Sequence, residues 1–188
     1  LAAATATSLA LSREGQRRLF ADVDRYADTV LLRPSDVSND PSTISRLGTV
    51  AVNSAVEVDI YGHANSTHVA GSHLVNGIGG AADFVRNARL SVVALPSTAD
   101  DGDVSRIVPM ASHVDHTEHD VDVVVTEHGV ADLRGLAPVE RAERIVERCA
   151  HPEFRPALRA YRDRADARGG HLPHDLDTAF GFHLDGEE

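Results

Sequence analysis

Four groups of residues have types and spacings that can do chemistry. Asn76-Gly77-Ile78-Gly79-Gly80 runs straight into an apolar helical stretch. Glycines let a backbone approach a ligand closely, and the amides at a helix start suit an anion or a developing oxyanion. A tight turn explains the same residues, since the run is neither a dinucleotide fingerprint nor a phosphate loop with its lysine. His113-Val114-Asp115-His116-Thr117-Glu118-His119-Asp120 packs histidines and acids together and invites a metal-dependent hydrolase built on His113, His116 and His119. Steps of three hold neither one helix face nor one strand face, and zinc hydrolases use a histidine pair four apart, so a hydrogen-bonded polar connection fits better. Glu57 and Asp59 share one strand face. Glu57 there has the type of a nucleophile or general base, although the outward polar side of a half-buried strand explains the pair as well. His63, Asn65, Ser66, Thr67 and His68 follow, with no evident third member for a Ser–His hydrolase.

The elements that must position these residues read as follows. Ser12 caps a helix expected to reach about Val30, on the spacing of Leu19, Val23, Tyr26 and Val30. Val30–Leu32 is a short apolar stretch stopped at Arg33-Pro34. Asp40-Pro41 is an N-cap with proline at the first helical position, and Gly48 closes that short helix. Val50 and Val52, then Val56, Val58 and Ile60, alternate with polar residues, giving strands broken near Asn53-Ser54. Residues 63–80 are rich in turns, and 81–90 form a short helix. Strands are expected at 91–95, 106–110 and 121–126. A helix from Pro138 turns Ala142, Ile145, Val146 and Cys149 inward. Another runs from Pro156 to Gly169-Gly170, and Phe180, Phe182 and Leu184 can dock the tail back on the body. Strands alternating with helices indicate an α/β fold with a mostly parallel or mixed sheet flanked by helices. Residues 1–170 form one domain and 171–188 a C-terminal tail.

Composition sets the outer bounds. A chain of 188 residues can hide about two thirds of its unfolded surface. With 42% apolar and 25% charged residues and no long apolar run, neither a membrane span nor wholesale disorder is expected. The single cysteine, Cys149, excludes an internal disulfide framework. No secretory signal pattern is seen, so cytoplasmic is the expected location. The first residue is Leu, which suggests a fragment. The net charge of −11 argues against nucleic acid as a partner. Every basic residue is Arg, and Asp dominates the acids. A salt-adapted cytoplasm and a GC-rich genome both account for that balance.

Several stretches, taken together, carry a resemblance: LLRPSDVSND, NSAVEVDIYGHANSTHVAGS, NGIGGAADFVRNA, PSTADDGDVSRIVPM, HVDHTEHDVDVVVTEHGVADLRGLAPVERA and CAHPEFR. From about Leu31 to Arg155 the sequence resembles the C-terminal half of the acetyl-CoA hydrolase/transferase family, class I CoA-transferases that include succinate–acetate CoA-transferase. The resemblance implies a CoA-transferase-like α/β domain. It implies exchange of CoA between an acyl-CoA (acetyl, succinyl or propionyl) and acetate or succinate, or hydrolysis when water replaces the acceptor. The family works through a glutamyl-CoA thioester, and its nucleophilic Glu falls before the point matching Leu1. The expected partners are therefore an acyl-CoA, a small carboxylate and a missing N-terminal domain, with a homodimer as the family state. Coenzyme A is a substrate; no permanently bound cofactor and no metal is implied. By the same resemblance Gly80 offers an oxyanion-hole N–H beside CoA, Asn39 is an active-site Asn, and Val56, Asn76 and Gly79 line the CoA site. Glu57 does not match the nucleophile. Relatives often read STAK where this chain has Ser97-Thr98-Ala99-Asp100, so a lysine that can meet anionic CoA is replaced by Asp; Arg106 is a candidate substitute. A non-catalytic CoA-binding module is the alternative.

Overall fold

Val50–Ser54, Leu90–Ala94 and Val123–Thr126 are short β-branched runs, and in the computed structural model, which describes residues 4–184, they pair side by side in parallel. Gly129–Asp132 returns antiparallel against Val123–Thr126, giving the order 129–132, 123–126, 90–94, 50–54. Register sets Val92 between Val52 and Val123. Parallel neighbours need crossovers, and the helix Ala81–Asn87 supplies the one between the first two strands, packing on both.

Ala55 and Val56 carry the chain from this sheet into a second one, where Glu57–Asp59 lies between Ile107–Val108 (parallel) and Ala64–Asn65 (antiparallel). The expected break near Asn53-Ser54 is therefore a change of sheet. Val50 and Val52 are exposed on the edge strand, whereas Val58 and Ile60 are fully buried, so one alternating run serves two environments.

Pro138–Cys149 turns Ala142, Ile145, Val146 and Cys149 inward, as its periodicity predicts. Burying a side chain such as Ile145 is worth roughly 1.5–3 kcal/mol. Arg155–Arg168 adds Leu158, Tyr161 and Ala165 to the same core and ends at Gly169, in a positive-φ conformation. The tail then folds back. Tyr61 donates its hydroxyl to the Pro173 carbonyl, the Tyr161 hydroxyl and His174 Nδ1 share a hydrogen bond of 2.8 Å, Ala179 is buried, and Phe182 packs on the core. Phe180 stays half exposed; the Leu184 side chain lies outside the described part, as do residues 1–3 and 185–188.

The N-terminal reading needs correction. Ser12 caps a helix, accepting from Gly15 N–H at 3.1 Å, but that helix stops at Ala21. Asp22 adopts φ −152°, ψ 63°, a second helix covers Val23–Ala27, and Val30 belongs to a strand pairing parallel with Ala4–Ala6. Aspartate favours helix ends over interiors, and here it splits the periodic run. The strand expected at 106–110 is only Ile107–Val108, and the turn-rich 63–80 segment contains the small antiparallel pair His68–Val69 with His73–Leu74. Thr98–Ala99 similarly pairs with Val104–Ser105.

Candidate functional site

The short helices Pro41–Leu47 and Ala81–Asn87 pack on each other, and each leads into one of two adjacent parallel strands. Their N-termini therefore stand at the edge where those strands end, the edge at which open α/β sheets bind ligands. Asn39 precedes the first helix and Gly80 caps the second. Asp40 fixes the first start, accepting from Thr43 N–H at 2.6 Å, with Pro41 at the first helical position. Asn39 Nδ2 donates to Asp83 Oδ2 at 3.2 Å, and Asn39 Oδ1 accepts from Ser38 Oγ at 3.0 Å. A Cβ on Gly80 would lie 2.0 Å from Asn39 Nδ2, closer than any side chain could come. The absence of a side chain at Gly80 is what lets the two residues meet.

The loop before Gly80 is pinned at its other end. Val75 and Asn76 N–H groups donate to the Thr67 carbonyl at 2.9 and 3.3 Å, and Asn76 Nδ2 reaches the Ser66 carbonyl at 3.5 Å. Gly79 turns the chain at φ +58°, a conformation glycine adopts without strain. Among the described residues, none accepts a hydrogen bond from the amides of Gly77, Ile78, Gly79 or Gly80.

Val56 continues this edge. Its N–H donates to the Asn65 carbonyl at 2.7 Å, next to the residue that holds Asn76. Together with Val104, Asp100, Arg106 and Phe182 it lines a cleft of about 450 Å³. Glu57, also on the cleft wall, is buried rather than on an outward polar face. Its Oε1 accepts from Asn65 Nδ2 at 3.0 Å and from Ser112 N–H and Oγ at 2.8 Å each, while Oε2 lies 3.6 Å from His183 Nδ1. Asp59 is buried too, and its Oδ1 accepts from the N–H groups of Tyr61, Gly62 and His63 at 2.9–3.0 Å. The segment Ala111–Ser112 and the returning tail, through His183, lie against the face that alternation alone assigns to water, and donors on 61–63, 65 and 112 satisfy the carboxylates.

The chain matches the profile of the acetyl-CoA hydrolase/transferase C-terminal domain over residues 15–162. The chain belongs to the acetyl-CoA hydrolase/transferase family. It is 51% identical over 183 residues to propanoyl-CoA:succinate CoA transferase of Escherichia coli, covering 97% of this chain and 37% of that protein. It is 53% identical over 189 residues to an acetyl-CoA hydrolase of Eremothecium gossypii, covering 96% and 36%. Among solved structures, 4-hydroxybutyrate CoA-transferase of Porphyromonas gingivalis superposes with a TM-score of 0.59 at 34% identity, covering 75% of this chain and 34% of that one. The chain thus spans little more than a third of the curated relatives it matches, and its α/β architecture is that of the CoA-transferases.

Within this family member the His-rich run is a set of separate contacts. His113 Nε2 lies 3.2 Å from Asp115, His119 lies 3.1 Å from Glu118, and His116 is buried with Nε2 unpartnered. Asp115 instead accepts from Ser66 N–H and Thr67 Oγ1, bracing the segment that holds Asn76. Among the described residues no three His, Cys, Asp or Glu side chains converge as a metal site. Ser66 Oγ donates to the Ser54 carbonyl and pairs with neither His63 nor His68. The grouping that sequence reasoning did not find is Asp59–His63–Glu118, with His63 Nδ1 2.8 Å from Asp59 and Nε2 2.8 Å from Glu118. Burial depresses the His63 pKa, but the bond to Asp59 and the two negative charges outweigh it, so it rises above the usual histidine value.

Proposed function

We propose that this chain is the CoA-binding, oxyanion-stabilising part of an acyl-CoA:carboxylate CoA-transferase or acetyl-CoA hydrolase, acting on acetyl-, propionyl- or succinyl-CoA. The attacking Glu belongs to a polypeptide segment outside this chain. Its carboxylate adds to the thioester carbonyl, whose oxygen takes up the negative charge. Collapse breaks the C–S bond, releasing CoA thiolate and leaving an acyl-glutamyl anhydride. The thiolate then attacks the glutamyl carbonyl, freeing the carboxylate and forming glutamyl-CoA; an acceptor carboxylate reverses the sequence, and water gives hydrolysis.

In this reading the Gly80 N–H donates to the developing oxyanion, where a pre-aligned donor lowers the barrier. Asn39 presents its amide beside it, held at one end by Asp83 and at the other by Ser38. Val56, Asn76 and Gly79 border the CoA moiety. The single observation that carries the reading is the contact of Asn39 with a side-chain-free Gly80 whose amide has no acceptor among the described residues.

Turnover of acetyl-CoA plus succinate tests the proposal. The 188-residue chain alone should give no CoA transfer, and the intact polypeptide that carries it should be active. Gly80→Asp in the intact polypeptide should abolish measurable exchange through clash with Asn39 and repulsion of the oxyanion. Transfer by the chain alone would return Glu57 to candidacy as nucleophile and remove the proposed division of labour.

A further inference from the structure

The four-stranded sheet is finished on one side and unfinished on the other. Register places Val52 beside Val92, and Ser54 beside Ala94 and Val125. Val50, Val52, Val92, Val125 and Val130 therefore share one face, and Ala51, Val93, Val124 and Ala131 the opposite one. The second set is buried under the helices Ala81–Asn87 and Pro138–Cys149. In the first set Val92 and Val125 are half buried, while Val52 is 67% exposed, Val50 61% and Val130 55%. Sheets whose inner strands run parallel are covered on both faces, and apolar residues on both faces are the mark of such strands. The edge is unfinished as well. Val50–Ser54 pairs with Leu90–Ala94 alone. Leu90 N–H donates to the Thr49 carbonyl, which by alternation turns the backbone groups of Val50 and Val52 away from that partner; neither finds another among the described residues. Edges that stay in water are blunted by a charge, a proline or a bulge, and Val-Ala-Val-Asn-Ser has none of these.

We propose that this edge and its open face receive a strand from the polypeptide segment that carries the attacking Glu, laid parallel to Val50–Ser54. The assignment rests on the reading of the chain as one part of a CoA-transferase or hydrolase. Three observations choose that occupant. The relatives are long enough to supply it, since the chain covers only 37% and 36% of two of them. The unit formed by residues 4–32 is incomplete in the same way. There Ala4–Ala6 and Val30–Leu32 make a sheet of only two parallel strands, and Phe20, Val23 and Leu32 stand exposed around an apolar groove of about 280 Å³. Added structure from one polypeptide completes both. Finally, the geometry suits the chemistry. The helices that follow Asn39 and Gly80 begin at the edge where strands 50–54 and 90–94 finish, so a strand parallel to these ends there too. A glutamate in its last residues then faces the Gly80 N–H with no further reversal of the chain.

Hydrogen exchange in the intact polypeptide reads the edge directly. The Val50 and Val52 amides should exchange at least about 100-fold more slowly than unprotected amides, at rates that about tenfold dilution does not change. Val52→Asp sets a charge against the added strand and should lower kcat on the order of 100-fold by displacing the glutamate. KM for acetyl-CoA should stay within about threefold, because Val56 and Asn76 are untouched. Val52→Ile, which remains apolar and β-branched, should keep kcat within about threefold. Because exchange is measured on the wild type, a variant that fails to fold leaves the test intact. Val50 and Val52 amides that exchange like unprotected ones in an active polypeptide overturn the proposal, as does Val52→Asp with full kcat. Protection lost on dilution overturns it by assigning the edge to a second copy. Lasting protection without any CoA transfer supports the docked strand and overturns the parent reading; transfer by this chain alone overturns both.

Discussion

Asn39 and Gly80 touch: the carboxamide nitrogen of Asn39 occupies the place where a β-carbon of residue 80 would be, 2.0 Å from its ideal position. Gly80 has φ −92°, a backbone any residue adopts, so the contact and not the backbone demands glycine there. Gly79, one residue earlier, is the reverse case, with φ +58° and open space around it.

Gly80→Ala and Gly79→Ala should therefore fail differently in the intact polypeptide. Gly80→Ala displaces the Asn39 amide and should cost on the order of 10- to 100-fold in kcat/KM. Gly79→Ala pays mainly left-handed backbone strain, about 1–2 kcal/mol of stability, with a smaller rate effect. Kinetics and denaturant unfolding on both variants separate the two; equal rate losses would show that the Asn39 contact carries no special role.

Asp100 lines the cleft beside Arg106 and adopts φ +50°. Asn tolerates that conformation and removes the charge. Asp100→Asn should bind CoA tighter by a few-fold, about 0.5–1 kcal/mol, the scale of an exposed charge interaction. Titration of the two proteins at low ionic strength measures it, and the gain should shrink with added salt.

The Asp59–His63–Glu118 bridge gives stability a pH signature. The folded pKa of His63 lies above the ordinary 6.5, so its contribution is complete below 6.5 and is lost as pH rises through the folded value. His116 and His174 are shifted down, first by burial, so their contribution is complete above 6.5 and is lost as pH falls through their folded values. Denaturant unfolding from pH 6.5 to 8 should show wild-type stability declining, with the decline reduced in His63→Gln. An identical slope in both proteins would remove His63 as its source.

Tyr61 ties the tail to the body through its hydroxyl on the Pro173 carbonyl. Tyr61→Phe leaves that buried acceptor unpaired and should cost about 1–2 kcal/mol. Limited proteolysis should cut the segment after Gly170 faster in the variant, and since Phe182 of that segment lines the cleft, CoA affinity should fall with it.

Much of this was legible in the sequence where the signal is local. The Asp40-Pro41 start and Gly48 stop, the inward face of Pro138–Cys149 and the Gly169 terminus each depend on neighbours within a few residues. The burial of Glu57 and Asp59 was not, because alternation reports one covered face while the 111–112 segment and the returning tail lie against the other. Nor was the meeting of Asn39 with Gly80 readable from spacing, since it follows from two helices packing at the end of one parallel sheet. The resemblance named those residues; only the packing explains why position 80 has no room for a side chain. In the sequence Arg106 is only a stand-in for a missing lysine, whereas its having no hydrogen-bond or ion-pair partner among the described residues is a property of the folded chain.

The most direct test of the central claim is an amide titration. In the ¹⁵N-labelled chain, the backbone resonance of Gly80 and the side-chain amide of Asn39 are followed as acetyl-CoA is added. The account predicts that both shift together and saturate along one binding curve. Saturable binding that moves other residues while Gly80 and Asn39 stay still would contradict it.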